Sequence, residues 1–274
     1  MATIEIDDVT LAYRGYAPIE HLSASISHGC FTALIGPSGC GKSTLLSGIA
    51  GTHRPAHGTI RLDGDDIYAL TKGELDKRLS LLAQRPTALH ELTVRELVER
   101  GRAPYRKWYQ PWSAADEQRV NEALRAAGVG ELGGRTLMEL SGGEYQRAWI
   151  AKTLAQETGV VLLDEPTTFL SVPSQLDVLT LLDRLKREHG RTIVSVLHDL
   201  NHALRFADNT ILMHAGRVVA VGTTHDVIQP DRLRDVFEID ATVGTDAVSG
   251  APVLSIHPSR SVADGGQGGE RDSQ

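Results

Sequence analysis

Gly36-Pro37-Ser38-Gly39-Cys40-Gly41-Lys42-Ser43-Thr44 fits the phosphate-binding pattern G-x-x-x-x-G-K-[ST] at every fixed position. With glycine near roughly 7% of residues, the fixed residues coincide by chance in about one chain of this length in a hundred. An apolar run, Phe31-Thr32-Ala33-Leu34-Ile35, precedes the loop and predicts a buried strand. Ser43-Thr44-Leu45-Leu46-Ser47-Gly48-Ile49-Ala50 predicts a helix after it. In a strand–loop–helix of this kind, successive backbone N–H groups converge on phosphate oxygens, and the helix N-terminus adds partial positive charge. Lys42 is placed to neutralise β- and γ-phosphates, and the Ser43 hydroxyl to coordinate Mg²⁺. The stretch predicts a site for a nucleoside triphosphate.

Two further motifs narrow the class. Leu140-Ser141-Gly142-Gly143-Glu144 opens a helical run, Tyr145-Gln146-Arg147-Ala148-Trp149-Ile150-Ala151-Lys152-Thr153-Leu154. Ser141 and Glu144 have the spacing of a capping box, which accounts for a helix start but not for two glycines. Gly142 and Gly143 expose bare backbone at a helix N-terminus, a second place suited to an anion. Val160-Val161-Leu162-Leu163-Asp164-Glu165-Pro166 reads as a buried parallel strand ending in two carboxylates, at the end where α/β sheets place their ligands. Asp164 suits Mg²⁺ coordination, usually through water, and Glu165 suits polarisation of an attacking water.

In this order the motifs resemble those of the ATP-binding-cassette (ABC) ATPases, and the likeness runs over roughly residues 2–240. Residues 36–44 look like the Walker A loop, 140–144 like the family signature, and 160–164 like Walker B with Glu165 as the catalytic glutamate. Gln84, after the apolar run 79–83, matches the Q-loop glutamine; His198, after 192–197, matches the switch histidine; Tyr13 sits where the family stacks an aromatic ring on adenine. The resemblance implies a head-to-tail homodimer with two ATP molecules sandwiched at its interface. Tyr13, Gly36, Pro37, Ser38, Gly39, Cys40, Gly41, Lys42, Ser43 and Thr44 would bind ATP from one chain, with Ser141, Gly142 and Gly143 supplied by the other. Glu165, His198, Lys42 and Gln84 would act in catalysis, and Ser43, Gln84 and Asp164 on Mg²⁺. The implied fold is an α/β P-loop NTPase core, a mainly parallel sheet with flanking helices, carrying an antiparallel β side sheet and an inserted α-helical subdomain.

Composition agrees. The chain of 274 residues can bury a sizeable core. No apolar run approaches the ~20 residues that span a bilayer, and Met1-Ala2-Thr3-Ile4-Glu5-Ile6 lacks the features of a secretory signal. Two cysteines, Cys30 and Cys40, are too few for a disulfide framework, so a reducing compartment is expected. A formal charge of −7 argues against a nucleic-acid partner. With one cassette, no membrane span and no heptad arm, the resemblance points to a stand-alone ATPase subunit. It would lie peripherally on the cytoplasmic face of the membrane, docked on separate permease subunits and served indirectly by a substrate-binding protein.

Along the chain, residues 4–13 and 22–26 read as strands of an antiparallel side sheet, and 59–62 and 79–83 as further strands. From 85 to 159 the pattern is helical, with Thr93 capping 94–100 and Ser113 capping 114–127 ahead of Gly128. Strands at 160–164, 192–197 and 210–214 alternate with helices at 175–189 and 199–207, which implies a mainly parallel sheet. The expected organisation is an ABC ATPase domain over 1–258, with core 1–84 and 160–229, helical subdomain 85–159 and C-terminal extension 230–258. Residues 259–274, rich in Gly, Ser, Asp and Gln, are expected to form a disordered tail.

Arg100-Gly101-Arg102-Ala103-Pro104-Tyr105, Val196-Leu197-His198-Asp199-Leu200-Asn201 and Val236-Phe237-Glu238-Ile239-Asp240-Ala241 resemble importers of iron–siderophore complexes, haem and cobalamin. Iron–siderophore import is the expectation, with cobalamin, haem or another metal chelate as alternatives. Residues 100–112 carry four cations and four aromatic rings, suiting either a loop tucked onto the helical lobe or part of a groove for a permease helix. His198 and His202 stand four apart on a helix without a third ligand, so His202 reads as surface. Cys40, beside a helix N-terminus, is read either as a reactive thiol or as a small loop filler. Ser171 stands where the family usually has the aspartate of the D-loop, and it can still cap the following helix with Pro173 in the first turn. A P-loop small-molecule kinase would share only the glycine loop. A module that binds ATP without hydrolysing it would have no use for Lys42 together with Glu165.

Overall fold

A computed structural model describes residues 2–13, 15–83, 91–107, 109–247 and 250–257. Gln84 and the segment 259–274 lie outside the described residues. The chain opens with β1 (Ala2–Tyr13) and β2 (Tyr16–Ser27), a long antiparallel hairpin with several register shifts. After β3 (Phe31–Ile35) come the glycine loop, α1 (Lys42–Ile49), β4 (His57–Leu62), β5 (Asp65–Asp66), α2 (Lys72–Leu75) and β6 (Leu79–Leu82). A helical stretch follows, α3 (Val94–Glu99), a 3₁₀ turn over Arg100–Tyr105, α4 (Ala114–Ala126) and α5 (Gly142–Ala155). The core resumes with β7 (Val160–Leu163), α6 (Val172–His189), β8 (Thr192–Val196), α7 (Leu200–Phe206), β9 (Asn209–His214) and β10 (Arg217–Thr223). Short helices α8 (Thr224–Val227) and α9 (Pro230–Phe237) lead to the hairpin β11 (Asp240–Thr245) and β12 (Pro252–His257).

The strands form two main sheets. One has the order β10-β9-β3-β8-β7-β6 and is parallel except for its antiparallel edge strand β10. The other, β2-β1-β4-β5, is antiparallel throughout. In β3, β7 and β8 every residue is buried, as a parallel strand covered on both faces requires. Alternate residues serve opposite layers. Leu34, Leu162, Val194 and Ile211 pack with Leu45, Leu46 and Ile49 of α1 and with Ile4, Ile6 and Ile60 of the side sheet. Phe31, Ile35, Val161, Leu163 and Ile193 face the opposite way, onto Val178 and Leu182 of α6 and Ala148 and Ala151 of α5. The glycine-loop helix is thus held between two sheets.

Local chemistry fixes the helix starts. Thr93 with Glu96, Ser113 with Asp116, and Ser141 with Glu144 each close a reciprocal capping box, worth about 1 kcal/mol apiece. Helix α3 ends at Glu99, one residue short of the expected end, and passes directly into the 3₁₀ turn, where Gly101 packs backbone against backbone. A Cβ there would come 2.3 Å from the Lys152 carbonyl oxygen. The next residue, Arg102, is buried, with Nε donating to Asp116 Oδ1 (3.0 Å) and Nη1 to Glu157 Oε2 (2.7 Å) and the Ala155 carbonyl (2.7 Å). One guanidinium therefore ties the 3₁₀ turn to α4 and to the end of α5.

Gly36 is the joint between β3 and the loop. Its φ is 152°, and a Cβ would come 2.1 Å from the Met213 carbonyl oxygen and 2.7 Å from Cys40 Sγ. Gly36→Ala is expected to lower stability by about 2 kcal/mol, since backbone of β9 must move to admit a methyl group. Urea unfolding followed by circular dichroism measures this, and a midpoint equal to that of the wild type would show that the joint has slack.

Candidate functional site

Three adjacent parallel strands deliver the site at their C-terminal ends. β3 runs into the glycine loop, β7 into Asp164 and Glu165, and β8 through Leu197 to His198. The loop bends by left-handed turns at Gly39 (φ 77°) and Gly41 (φ 103°), which L side chains rarely adopt. Lys42 folds back across it, donating from Nζ to the carbonyl oxygens of Gly36 (2.8 Å) and Pro37 (2.9 Å), and is only 5% exposed. Cys40 is likewise buried, its Sγ 3.8 Å from Lys42 Nζ. That placement favours the reading of Cys40 as loop filler over that of a reactive thiol.

Across from the loop, the Ser43 hydroxyl donates to Asp164 Oδ1 at 2.9 Å. Burial pushes the Asp164 carboxyl above the ordinary carboxylate range, against the Ser43 hydrogen bond, which lowers it. Hydroxyl and carboxylate side by side form the oxygen donor set that a hard divalent cation takes, so the pair fits Mg²⁺. Glu165 has a left-handed backbone (φ 52°) and lies 2.6 Å from His198 Nε2 through Oε1. Its Oε2 accepts from Thr168 Oγ1 at 3.0 Å. Asp199 caps α7 by accepting from the N–H groups of Asn201 (2.7 Å) and His202 (3.1 Å), which fixes the backbone just after His198.

A cleft of about 290 Å³ brings Tyr13, Ser38, Lys42, Ser43, Glu165 and His198 to one place. Tyr13 is half exposed at its rim, with its ring 4.4 Å from that of His53. Tyr16 and Pro18 also line the cleft and had no signal in the sequence beyond their nearness to Tyr13. The glycine loop and Lys42 fit a phosphate chain, and the exposed ring of Tyr13 offers a flat apolar surface beside it.

Ser141, Gly142 and Gly143 are not among the residues lining that cleft. They start α5, where Ser141 N and Oγ both donate to Glu144 Oε2 (2.8 and 2.7 Å). The start of α6 excludes a side chain at Gly143, whereas Gly142 has room for one. A Cβ on Gly143 would stand 2.6 Å from Ser174 Oγ, and one on Gly142 would stand 3.5 Å from Leu170 Cδ2. Ser171 occupies the N-cap position of α6 but makes no cap hydrogen bond, contrary to the sequence expectation; its hydroxyl turns to Ser174 Oγ at 3.1 Å. His202 also departs from expectation. Its side chain is 12% exposed, with Nδ1 4.0 Å from Asp199 Oδ2.

The family model described as ABC transporter matches residues 19–168. The ferric enterobactin transport ATP-binding protein of Escherichia coli (strain K12) is 42% identical over 254 residues, covering 93% of this chain and 94% of the relative. A metal-chelate type ABC transporter solved in an inward-facing conformation superposes with a TM-score of 0.82 at 25% identity, covering 94% of this chain and 98% of that one. The dimeric structure of a bacterial ABC transporter cassette gives 0.71 at 30% identity, covering 81% and 98%.

Two outcomes test this geometry. Lys42→Ala is expected to weaken ATP binding at least tenfold (about 1.4 kcal/mol or more), because a charge-assisted partner for phosphate is removed. Equilibrium titration with a fluorescent ATP analogue reads it, and an unchanged dissociation constant would mean that the lysine only braces the loop. Ser171→Asp should supply the missing cap and stabilise α6 by about 0.5–1 kcal/mol, raising the thermal midpoint by about 2 °C. A lowered midpoint would show that the hydroxyl pair with Ser174 is worth more than the cap.

Proposed function

Because the chain belongs to the ABC transporter family, in which the ATP-binding subunits hydrolyse ATP, we propose that two copies close head to tail and drive a separate membrane permease. The observation that carries this reading is the division of the motifs. Lys42, Ser43, Glu165 and His198 line one cleft, whereas Ser141, Gly142 and Gly143 open onto another part of the same chain. A site built from both sets needs a second chain. ATP would then stabilise the closed dimer and hydrolysis would release it, moving the permease between two states. The dimeric cassette at TM-score 0.71 supports the arrangement.

Each residue has a part in this reading. Tyr13 stacks on the base, and the glycine-loop N–H groups and Lys42 hold the phosphates and stabilise charge on the transferring phosphoryl. Ser43, Asp164 and Gln84 would hold Mg²⁺, which supplies positive charge beside the β- and γ-phosphates. Glu165 orients water, taking its proton as the water oxygen bonds to the γ-phosphorus and ADP leaves. His198 leaves Glu165 for the γ-phosphate and so reports its presence. The organisation follows as well, with 85–159 as a helical lobe set into a core of 1–84 and 160–229 and 230–258 as a C-terminal extension. The direct parallel pairing of β6 with β7, on either side of that lobe, supports the division.

The permease has a candidate seat. Leu92, Glu99, Arg100, Arg106 and Trp112 line a surface groove of about 400 Å³ on the helical stretch. No helix among the described residues is long and apolar enough to cross a membrane, which fits a peripheral subunit on the cytoplasmic face. The cargo is a ferric chelate, on the likeness to the ferric enterobactin transport protein, and within that class an iron–siderophore complex. Cobalamin and haem are the competing cargoes, and a substrate-binding protein would present whichever is carried.

Glu165→Gln is expected to retain ATP binding, to lower ATPase turnover at least a hundredfold, and to accumulate an ATP-dependent dimer in sedimentation. Monomer alone at saturating ATP with turnover intact would overturn the assignment. In cells lacking the gene, the wild-type chain should restore uptake of radioactive ferric siderophore while Glu165→Gln does not. Restoration of cobalamin uptake instead would reassign the cargo.

A further inference from the structure

We propose that Thr168 is the positioning residue that holds the Glu165 carboxylate in register with its water when His198 has turned to the nucleotide. This rests on the reading of Glu165 as the carboxylate that orients water. Glu165 is held from both sides, with Oε1 2.6 Å from His198 Nε2 and Oε2 accepting from Thr168 Oγ1 at 3.0 Å. The two contacts differ in kind. The histidine sits beyond β8 on a separate segment, 33 residues further along the chain, and its side chain is 45% exposed. Thr168 belongs to the same tight turn as Glu165. Its N–H donates to the Glu165 carbonyl oxygen at 3.3 Å while its hydroxyl reaches the same residue's carboxylate. Backbone and side chain of one residue thus close on backbone and side chain of the other.

The turn is itself pinned. Pro166 and Thr167 are buried, Leu170 N–H donates to the Thr167 carbonyl at 3.3 Å, and Gln175 Nε2 donates to the Leu170 carbonyl at 3.0 Å. Glu165 has a left-handed backbone (φ 52°), a conformation that persists only when its surroundings impose it. A carboxylate rotates freely about its last bond unless a donor fixes one oxygen. With Oε2 fixed by the Thr168 hydroxyl, Oε1 is the oxygen turned to His198, and both residues line the cleft. The branched Cβ of threonine keeps Oγ1 in few rotamers, which a serine would do less well and a valine cannot do at all.

Steady-state ATPase of the full chain tests the proposal with Thr168→Val, Thr168→Ser and Glu165→Gln. Thr168→Val, which keeps shape and removes the donor, should lower kcat roughly tenfold, the loss of one charge-assisted hydrogen bond, with KM for ATP and the thermal midpoint unchanged. Thr168→Ser should recover most of that loss. A Thr168→Val enzyme with wild-type kcat overturns the proposal, as does a serine variant no better than valine or a loss shared equally by KM. If Glu165→Gln itself turns over at the wild-type rate, the reading of Glu165 fails instead, whatever the Thr168 variants do.

Discussion

Parallel pairing of β8 with both β3 and β7 is the constraint on which the rest of the structure depends. Leu34 pairs with Val196, and Leu163 with Ser195, so the three strands end nearly level. Gly36, Asp164 and His198 leave the sheet at the same edge for that reason. No hydrogen bond within the cleft could gather them without it, because each belongs to a segment far from the others in sequence. Register is held by the two apolar layers, Leu34 and Leu162 on one side and Ile35 and Leu163 on the other. A slip of one residue in any of the three strands would turn its core residues to the wrong layer. Stability of the core and geometry of the cleft are therefore one problem.

How legible a residue was in the sequence follows from how local its partners are. The glycine loop, the Asp164–Glu165 pair and His198 each follow a fully buried, mostly apolar strand, and such runs announce their own ends. Thr168 gave no such signal, since its hydroxyl finds Glu165 only once a turn has formed. Gly143 was legible as unusual but not as explained, because the atoms that exclude a side chain there belong to Ser174. Arg102 read as one cation among four; its partners Asp116 and Glu157 lie 14 and 55 residues away and make it a buried tie. Ser171 was misjudged for a similar reason. The cap rule is local, but Ser174 competes for the hydroxyl and wins. The antiparallel edge strand β10 and the hairpin β11–β12 were absent from the sequence reading, their alternation being weak and half exposed.

Three polar groups of the cleft take their partners from the chain itself. Lys42 is held by two loop carbonyls, Ser43 by Asp164, and His198 by Glu165. Ligand affinity at such a site is a difference between bonds exchanged, not a sum of bonds formed. The exchange has a structural use. A lysine that binds the carbonyls of its own loop braces that loop from within. The same exchange links His198 to Glu165, because the histidine cannot serve both the carboxylate and a phosphate with one Nε2.

The turn at Glu165 also borders the start of α5. From Thr168 the chain passes through Leu170, whose side chain lies against Gly142, to Ser174, whose hydroxyl lies against Gly143. Arg147 of α5 reaches Asp177 of α6 at 3.6 Å, fastening the same two helices one turn further on. If the two chains close head to tail, Ser141, Gly142 and Gly143 serve the nucleotide bound mainly by the partner. A change in the turn at one site then bears directly on the residues presented to the other. No relay through the core is required, since the contact is between neighbouring side chains and bare backbone. The absence of a Cβ atom at Gly143 is what lets Ser174 at the start of α6 come this close. Gly143 would in that case do two things at once, exposing its N–H to a phosphate and letting Ser174 press against its other side.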